Sequence, residues 1–255
     1  MFDGKTIAIT GGAKGIGAGC ARAFYRQDGH IAILDVDEKR GAELVDELGK
    51  RASFIKCNIS KEREVEKAME QIKEEFSSLD VLVNNAGIIR YSTVTDTSEE
   101  DWDHLLNVNL KGAFLCAKHA IPLMEQGEGG VVINMSSVQA FVTQQKVAAY
   151  ATSKAALIGL TRSIAVDYAP QIRSVAICPG GVDTPLNRDA FQQSPDPEVV
   201  RQETIDLHLV KRMAEPKEIG EFVAFVASEK GAFITGQPLR IDGGIGLKIA
   251  GSKKD

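Results

Sequence analysis

Residues 148–160 read AAYATSKAALIGL, and within them Tyr150 stands four positions before Lys154. In a helix that spacing places a phenol and an ammonium on one face, one turn apart. A tyrosine held beside a lysine is a candidate for proton chemistry. Both residue types are common, however, and the chain has four tyrosines. By itself such a pair is far more often incidental than catalytic, so its meaning depends on the rest of the chain.

A second stretch, TIAITGGAKGIG, joins an apolar run to a glycine-rich turn in which Gly11, Gly15 and Gly17 are spaced G-x-x-x-G-x-G. Residues without Cβ permit a tight turn and let the backbone approach a pyrophosphate at a helix N-terminus. The next apolar run, HIAILD, ends in Asp35, eighteen residues after Gly17. A carboxylate there can accept hydrogen bonds from both ribose hydroxyls of an adenosine and repels a 2′-phosphate. That favours NAD over NADP, and Val36 offers no cation in compensation. Lys14, inside the glycine turn, argues the other way, since a cation there could meet a 2′-phosphate.

The elements that position these residues follow from hydrophobic pattern. The apolar runs KTIAIT, HIAILD, SFIKCN, DVLVNN, VVINMS, RSVAIC and PLRID are each bounded by Gly, Asn, Asp or Pro. Charged segments of helical period, such as EKRGAELVDELGK and SKEREVEKAMEQIKEEF, lie between them. Strands apolar on both faces and alternating with amphipathic helices predict a Rossmann-type α/β fold. Its sheet is doubly wound and parallel, with about seven strands and helices on both faces. Six or seven helices and no second domain are expected, so residues 1–255 form a single unit. One polar, Pro-punctuated segment, about residues 183–215, is longer than an ordinary connection and reads as a substrate lid.

Composition excludes several function classes. The chain has 255 residues, is 44% hydrophobic and carries a formal charge of −5, with no dense Lys/Arg cluster that would mark a nucleic-acid surface. The four cysteines at 20, 57, 116 and 178 are scattered without a C-x-x-C, so neither a metal site nor a redox pair is indicated. The start MFDGKTIAIT lacks a basic segment followed by a signal core, and no apolar run approaches the ~20 residues of a membrane helix. A soluble, cytoplasmic protein with reduced thiols is expected.

Six motifs then occur in order: TGGAKGIG, NNAG at 84–87, NVNLKG at 107–112, SS at 136 and 137, YATSK, and PGGVDT at 179–184. Together they resemble the short-chain dehydrogenase/reductase family, from the first strand to the IDGG near the C-terminus. The resemblance implies that Tyr150 is the general acid/base and that Lys154 lowers its pKa while holding the nicotinamide ribose. An unperturbed phenol titrates near ~10, so a nearby positive charge would make it a better base. Ser137, thirteen residues before Tyr150, matches the serine that hydrogen-bonds the reacting oxygen, with Ser136 its rival. Asn109 matches the asparagine that supports a water chain to the lysine. The resemblance further places Gly11, Lys14, Gly15, Ile16 and Gly17 at the pyrophosphate and Asp35 at the adenosine ribose. Asn58 and Ile59 would hold the adenine, although many members have Asp at the first of these. Asn85, Ala86 and Gly87 would flank the ribose, and Val182 and Thr184 the nicotinamide carboxamide.

The same resemblance puts Arg90, Tyr91, Gln139, Gln144, Gln145, Gly181 and Asn187 around the substrate. Among these Gln139 and Gln145, with Ser137 and Tyr150, are the candidate substrate ligands. Amides and a guanidinium suit a molecule with several hydroxyls. Residues 136–170 also look similar to members that oxidise aldoses at the anomeric carbon. An NAD-dependent sugar or polyol dehydrogenase is therefore expected. Reduction of a 3-oxoacyl thioester with NADPH is the enzymatic alternative, and a non-catalytic NAD-sensing protein the other. His208, in the lid, reads as a packing or surface residue. By analogy with the family the protein would be a homotetramer, with the C-terminal IDGGIGLKIAGSKKD buried against a partner or folded over its own pocket.

Overall fold

The structure is a computed structural model and describes residues 1–247; the expectation for the C-terminal tail falls largely outside that range. Seven strands form one sheet: β1 Thr6–Thr10, β2 His30–Asp35, β3 Ala52–Lys56, β4 Val81–Asn84, β5 Gly130–Met135, β6 Ile172–Pro179 and β7 Pro238–Ile241. Their order is β3-β2-β1-β4-β5-β6-β7, and every neighbouring pair is parallel. Each of the seven apolar runs read from the sequence thus becomes a strand.

Alternation along the strands makes two cores. In β1, Ile7 and Ile9 face one side and join Phe24, Ile33, Ile219 and Val223. Ala8 faces the other and joins Leu34, Ile72, Leu82, Leu115 and Met124. The first side is covered by α1 Gly15–Tyr25, α2 Glu38–Leu48 and later α9 Pro216–Ala227. The second is covered by α3 Glu62–Phe76, α5 Gly112–Glu125 and α6 Ala148–Tyr168, with α4 Glu99–Leu106 packed against α6. Strands whose two faces are both covered must be apolar throughout, which is why all five residues of β1 are buried.

Nine α-helices occur among the described residues, more than the six or seven expected. The surplus includes the segment read as a polar lid, which contains α7 Pro185–Phe191 and α8 Pro197–Leu207. Both begin with proline in the first turn, after Thr184 and Asp196, whose side chains accept from the backbone N–H groups of Asn187 and Val199. Proline there costs nothing, because a first-turn N–H has no intrahelical partner.

The strand order reverses between β1 and β4, where connections depart to opposite sides and leave a crevice at the C-terminal strand ends. The glycine turn follows β1, NNAG follows β4, the serine pair follows β5 and PGGVDT follows β6. Topology therefore collects four distant motifs along one edge.

Candidate active site

At the end of β1, Gly11 and Gly15 adopt φ of 61° and 57°, a region that favours glycine. The absence of Cβ also serves packing inside the turn. A Cβ on Gly11 would lie 2.7 Å from the Ala86 Cα, and one on Gly17 would lie 2.2 Å from the Gly11 carbonyl oxygen. Gly11 and Gly17 thus let the turn close on itself and on the β4 end. What the turn offers an anion is the start of α1, which has no side-chain cap at Lys14 and no acid in its first turn. Its first N–H groups, that of Ile16 among them, fit a diphosphate.

Asp35 ends β2 buried, 8% exposed, with Oδ2 accepting from the Ala13 N–H (3.0 Å) and Oδ1 from the Asp37 N–H (3.1 Å). These bonds lock the carboxylate beside the glycine turn, and each oxygen retains capacity to accept from a ribose hydroxyl. The Lys14 ammonium lies 3.9 Å from Asp37 and so already has a counter-ion. Asn85 stitches the two strand ends together: its Nδ2 donates to the carbonyls of Thr10 (3.0 Å) and Gly11 (2.9 Å). The Thr10 hydroxyl in turn accepts from the N–H groups of Asn85 and Ala86.

The four candidate catalytic residues come together around Tyr150, and Asn109 is tied through Ser153 to the Tyr150 backbone. Asn109 sits in a π-helical turn, Asn107–Lys111, between α4 and α5, and is 1% exposed. Such a widened turn re-aims a side chain and often marks a functional site. Its Oδ1 accepts from the Ile88 N–H (2.8 Å), and its Nδ2 donates to the Ile88 carbonyl (2.9 Å) and to Ser153 Oγ (3.1 Å). Ser153 donates to the Tyr150 carbonyl (2.7 Å). Lys154 is 4% exposed, donates to the Met135 carbonyl (2.8 Å) and lies 5.6 Å from the centre of the Tyr150 ring. A Cβ on Gly87 would lie 3.3 Å from the Lys154 Nζ and 3.4 Å from Asn109 Oδ1, so Gly87 leaves room between them.

The two serines are distinguished by their partners. Ser136 donates to the Lys154 carbonyl (2.7 Å), whereas the Ser137 hydroxyl faces the Tyr150 phenol. Burial pushes the Tyr150 pKa up to about 12; the Ser137 hydrogen bond opposes that rise and nearby Tyr91 adds to it. Burial also lowers Lys154 to about 8. The spacing of Tyr150 and Lys154 predicts instead that the lysine charge lowers the tyrosine pKa. In the folded pocket the cost of burying a phenolate is the larger effect, so the net shift of Tyr150 is upward.

The other expected positions are less uniform. Val182 and Thr184 are buried at the end of β6; the Val182 carbonyl accepts from Asn187 Nδ2 (2.7 Å), and a Cβ on Gly15 would lie 3.3 Å from Thr184 Cγ2. The Asn58 Oδ1 is already engaged by the Ser60 N–H and hydroxyl, leaving its NH₂ as the free group. Ile59 turns into the second core, where it packs against Gly112. Gln139 lies just past Ser137, to whose Oγ its N–H donates (3.1 Å). Gln145 and Gln144 line a separate groove of about 390 Å³ with Ser92–Val94, Val147 and Ala151, and neither Ser137 nor Tyr150 lines it.

A family model described as enoyl-(acyl carrier protein) reductase matches residues 11–246. The chain is a short-chain dehydrogenase/reductase. As a member of that family it is an oxidoreductase acting on CH–OH groups with a nicotinamide cofactor. It is 41% identical over 250 residues to the oxidoreductase UcpA of Salmonella typhimurium, covering 95% of each chain. Its structure is similar to the ligand-free aldohexose dehydrogenase of Thermoplasma acidophilum, with a TM-score of 0.91 and 35% identity over 100% of this chain and 98% of that one. It is also similar to the 3-ketoacyl-(acyl carrier protein) reductase of Brucella melitensis, solved with NADH, with a TM-score of 0.88, 30% identity and coverage of 95% and 98%.

Three residues of this dehydrogenase/reductase carry more of the site than sequence reasoning gave them. Thr10 joins two strand ends, Ser136 fixes the backbone of Lys154, and His208 is 2% exposed with both ring nitrogens bonded. Thr10 and Ser136 stand inside recognised motifs, which was a signal; His208 had none.

Proposed function

We propose that this enzyme is an NAD-dependent dehydrogenase of a sugar or polyol, with Tyr150 as the proton-transfer group. The observation that carries this reading is the meeting of Ser137, Tyr150, Lys154 and Asn109 at the strand ends, beside a glycine turn closed by the Asp35 carboxylate. A bound nicotinamide supplies the hydride donor or acceptor. Ser137 holds the substrate oxygen by hydrogen bond, and Tyr150 gives or takes the proton on that oxygen. Lys154 passes the proton onward through water that Asn109 helps to hold, and Lys154 also holds the nicotinamide ribose. Gly11, Gly15, Ile16 and Gly17 take the pyrophosphate, and Asp35 the adenosine ribose. Asn58, Ile59, Asn85, Ala86 and Gly87 line the adenosine side, Ile59 through its backbone, and Val182 and Thr184 hold the carboxamide. A preference for NAD is supported by the Asp35 carboxylate, held by two backbone N–H groups beside the glycine turn, and by Lys14 having Asp37 as counter-ion.

Likeness to an aldohexose dehydrogenase supports a sugar substrate. The amide of Gln139 beside Ser137 supplies polar contact, and Gln145 contributes from the neighbouring groove. Residues 183–215 act as the lid. A homotetramer in the cytoplasm completes the reading; for the assembly, not the compartment, exposed Phe114 on α5 and Val166 on α6 offer apolar contact. No helix of the described residues is long and apolar enough to cross a membrane.

One observation favours a second reading, reduction of a 3-oxoacyl thioester. The lid exposes Leu186, Val199, Leu207, Leu209 and Val210, a surface suited to an acyl chain. The test is reduced-cofactor absorbance with NAD⁺ and NADP⁺ across aldoses, polyols and secondary alcohols. Turnover of one or a few aldoses with NAD⁺ is expected. Silence there, with NADPH consumed by an acetoacetyl thioester, would establish the second reading instead.

A further inference from the structure

The helix α8 buries none of its own residues, yet the residue that follows it, His208, is 2% exposed. Its imidazole fills a slot made by three glycines. A Cβ on Gly180 would lie 2.9 Å from Nε2, one on Gly181 2.8 Å from Cε1, and one on Gly243 3.2 Å from Cδ2. The Gly181 N–H donates to Nε2 at 2.9 Å, and Nδ1 lies 2.7 Å from the Thr204 carbonyl oxygen. A backbone N–H can only donate and a carbonyl can only accept. The ring is therefore the neutral tautomer with its hydrogen on Nδ1, giving to α8 and taking from the end of β6.

The segment it holds is the one assigned above to the nicotinamide carboxamide. The Gly181 carbonyl accepts from the Ala214 N–H (2.9 Å), and the Asp183 N–H donates to the Ala214 carbonyl (2.8 Å). These bonds and the His208 bond frame Val182 from both sides. Without the imidazole, the Gly181 N–H would lose its acceptor and α8 its one buried anchor at this end. The slot would collapse or fill with water, and the direction of the Val182–Thr184 backbone would no longer be fixed.

We propose that His208 is a positioning residue for the nicotinamide half of the cofactor site, latching the lid helix to Gly181 so that Val182 and Thr184 are held ready for the carboxamide. This rests on the assignment of Val182 and Thr184 made above. The adenosine half of the site stands on β1 and β2, with no bond to His208, so the latch acts on one end of the cofactor only.

The test uses the full-length protein and two probes: NADH, which reaches both halves, and ADP-ribose, which lacks the nicotinamide. His208→Leu removes both hydrogen bonds, and His208→Gln keeps a carbonyl oxygen able to accept from Gly181. For His208→Leu, NADH affinity falls about tenfold and the KM for NAD⁺ rises accordingly, while ADP-ribose affinity is unchanged. His208→Gln recovers most of the loss. If His208→Leu does not fold, His208→Asn, too short to reach Gly181, must show the same selective loss. Unchanged NADH affinity, or an equal loss for both probes, overturns the latch and leaves His208 as packing. Thr184→Val is the control: if it too leaves NADH binding and turnover unaltered, the carboxamide assignment itself has failed. If it weakens NADH selectively while the His208 variants do not, only the latch has failed.

Discussion

The opposed effects of burial on Tyr150 and Lys154 give the site its character at the scale of single residues. A phenol pushed up to about 12 is protonated at neutral pH, and an ammonium lowered to about 8 is close to losing its charge. Tyr150→Phe removes the transferable proton and little volume. It is expected to lower kcat by about 10²–10⁴, the range general acid–base catalysis supplies, and to leave the NADH dissociation constant within a factor of two or so. Stopped-flow turnover beside a fluorescence titration checks both, and near-normal turnover would refute the role. Lys154 makes a claim about stability. Below pH 8 the lysine is charged in both folded and unfolded chains, so the fold bears the full cost of burying it. Between about 8 and 10.5 the folded lysine is neutral while the unfolded one still binds a proton, so its contribution to stability rises with pH. The gap between about 8 and 10.5 corresponds to roughly 3 kcal/mol. In urea unfolding the stability of Lys154→Met minus that of the parent should therefore fall by about that much from pH 7 to pH 10; a constant difference would mean the buried lysine does not titrate low.

Among the elements, α1, the helix of the proposed pyrophosphate site, owes its position to a crossing that the sequence does not announce. Helix α1 lies against α9 with Gly19 and Gly220 at the contact. A Cβ on Gly220 would stand 2.3 Å from the Gly19 carbonyl oxygen, and one on Gly19 2.3 Å from that of Pro216. Backbone cannot yield as a flexible side chain can, so Gly220→Ala is expected to cost about 1–3 kcal/mol or more and to weaken NADH binding as α1 shifts. Unfolding and NADH titration of the same variant test it; an unchanged stability would show that the helices part without penalty. The seven strands were legible because each is a short run apolar on both faces, and Tyr150, Lys154 and the glycine turn because their motifs are local. Contacts between segments far apart were not legible. Gly19 with Gly220, Ser136 with the Lys154 carbonyl, and His208 with Gly181 leave no periodicity behind. Asn58 and Ile59 show the converse: a motif position fixed the place in the chain, while Ser60 and Gly112 decided where the side chains went. The lid segment is polar and Pro-punctuated in sequence, and two of its prolines start helices, because proline opens a helix as readily as it ends one.

For the whole molecule, the proposed cofactor site draws on the ends of β1, β2, β4, β5 and β6, so a ligand bound there would span most of the sheet and α1 as well. Nothing in an unfolded chain would reproduce that meeting of segments, and binding energy is therefore stability. At a free concentration one hundred times its dissociation constant, NAD⁺ should add about 2.7 kcal/mol to the free energy of unfolding. For a chain of this size that raises the melting temperature by roughly 5–10 °C. NADP⁺ at the same concentration should add much less, since its 2′-phosphate would lie against a carboxylate held by two backbone N–H groups. Asp35→Ala should bring the two shifts together by removing that repulsion. Equal shifts for NAD⁺ and NADP⁺ in the parent protein would mean that Lys14 escapes Asp37 and meets the phosphate, and the preference would then belong to the cation. Thermal scans at matched ligand concentrations, repeated at two protein concentrations to separate any contribution of subunit assembly, distinguish these cases in one experiment.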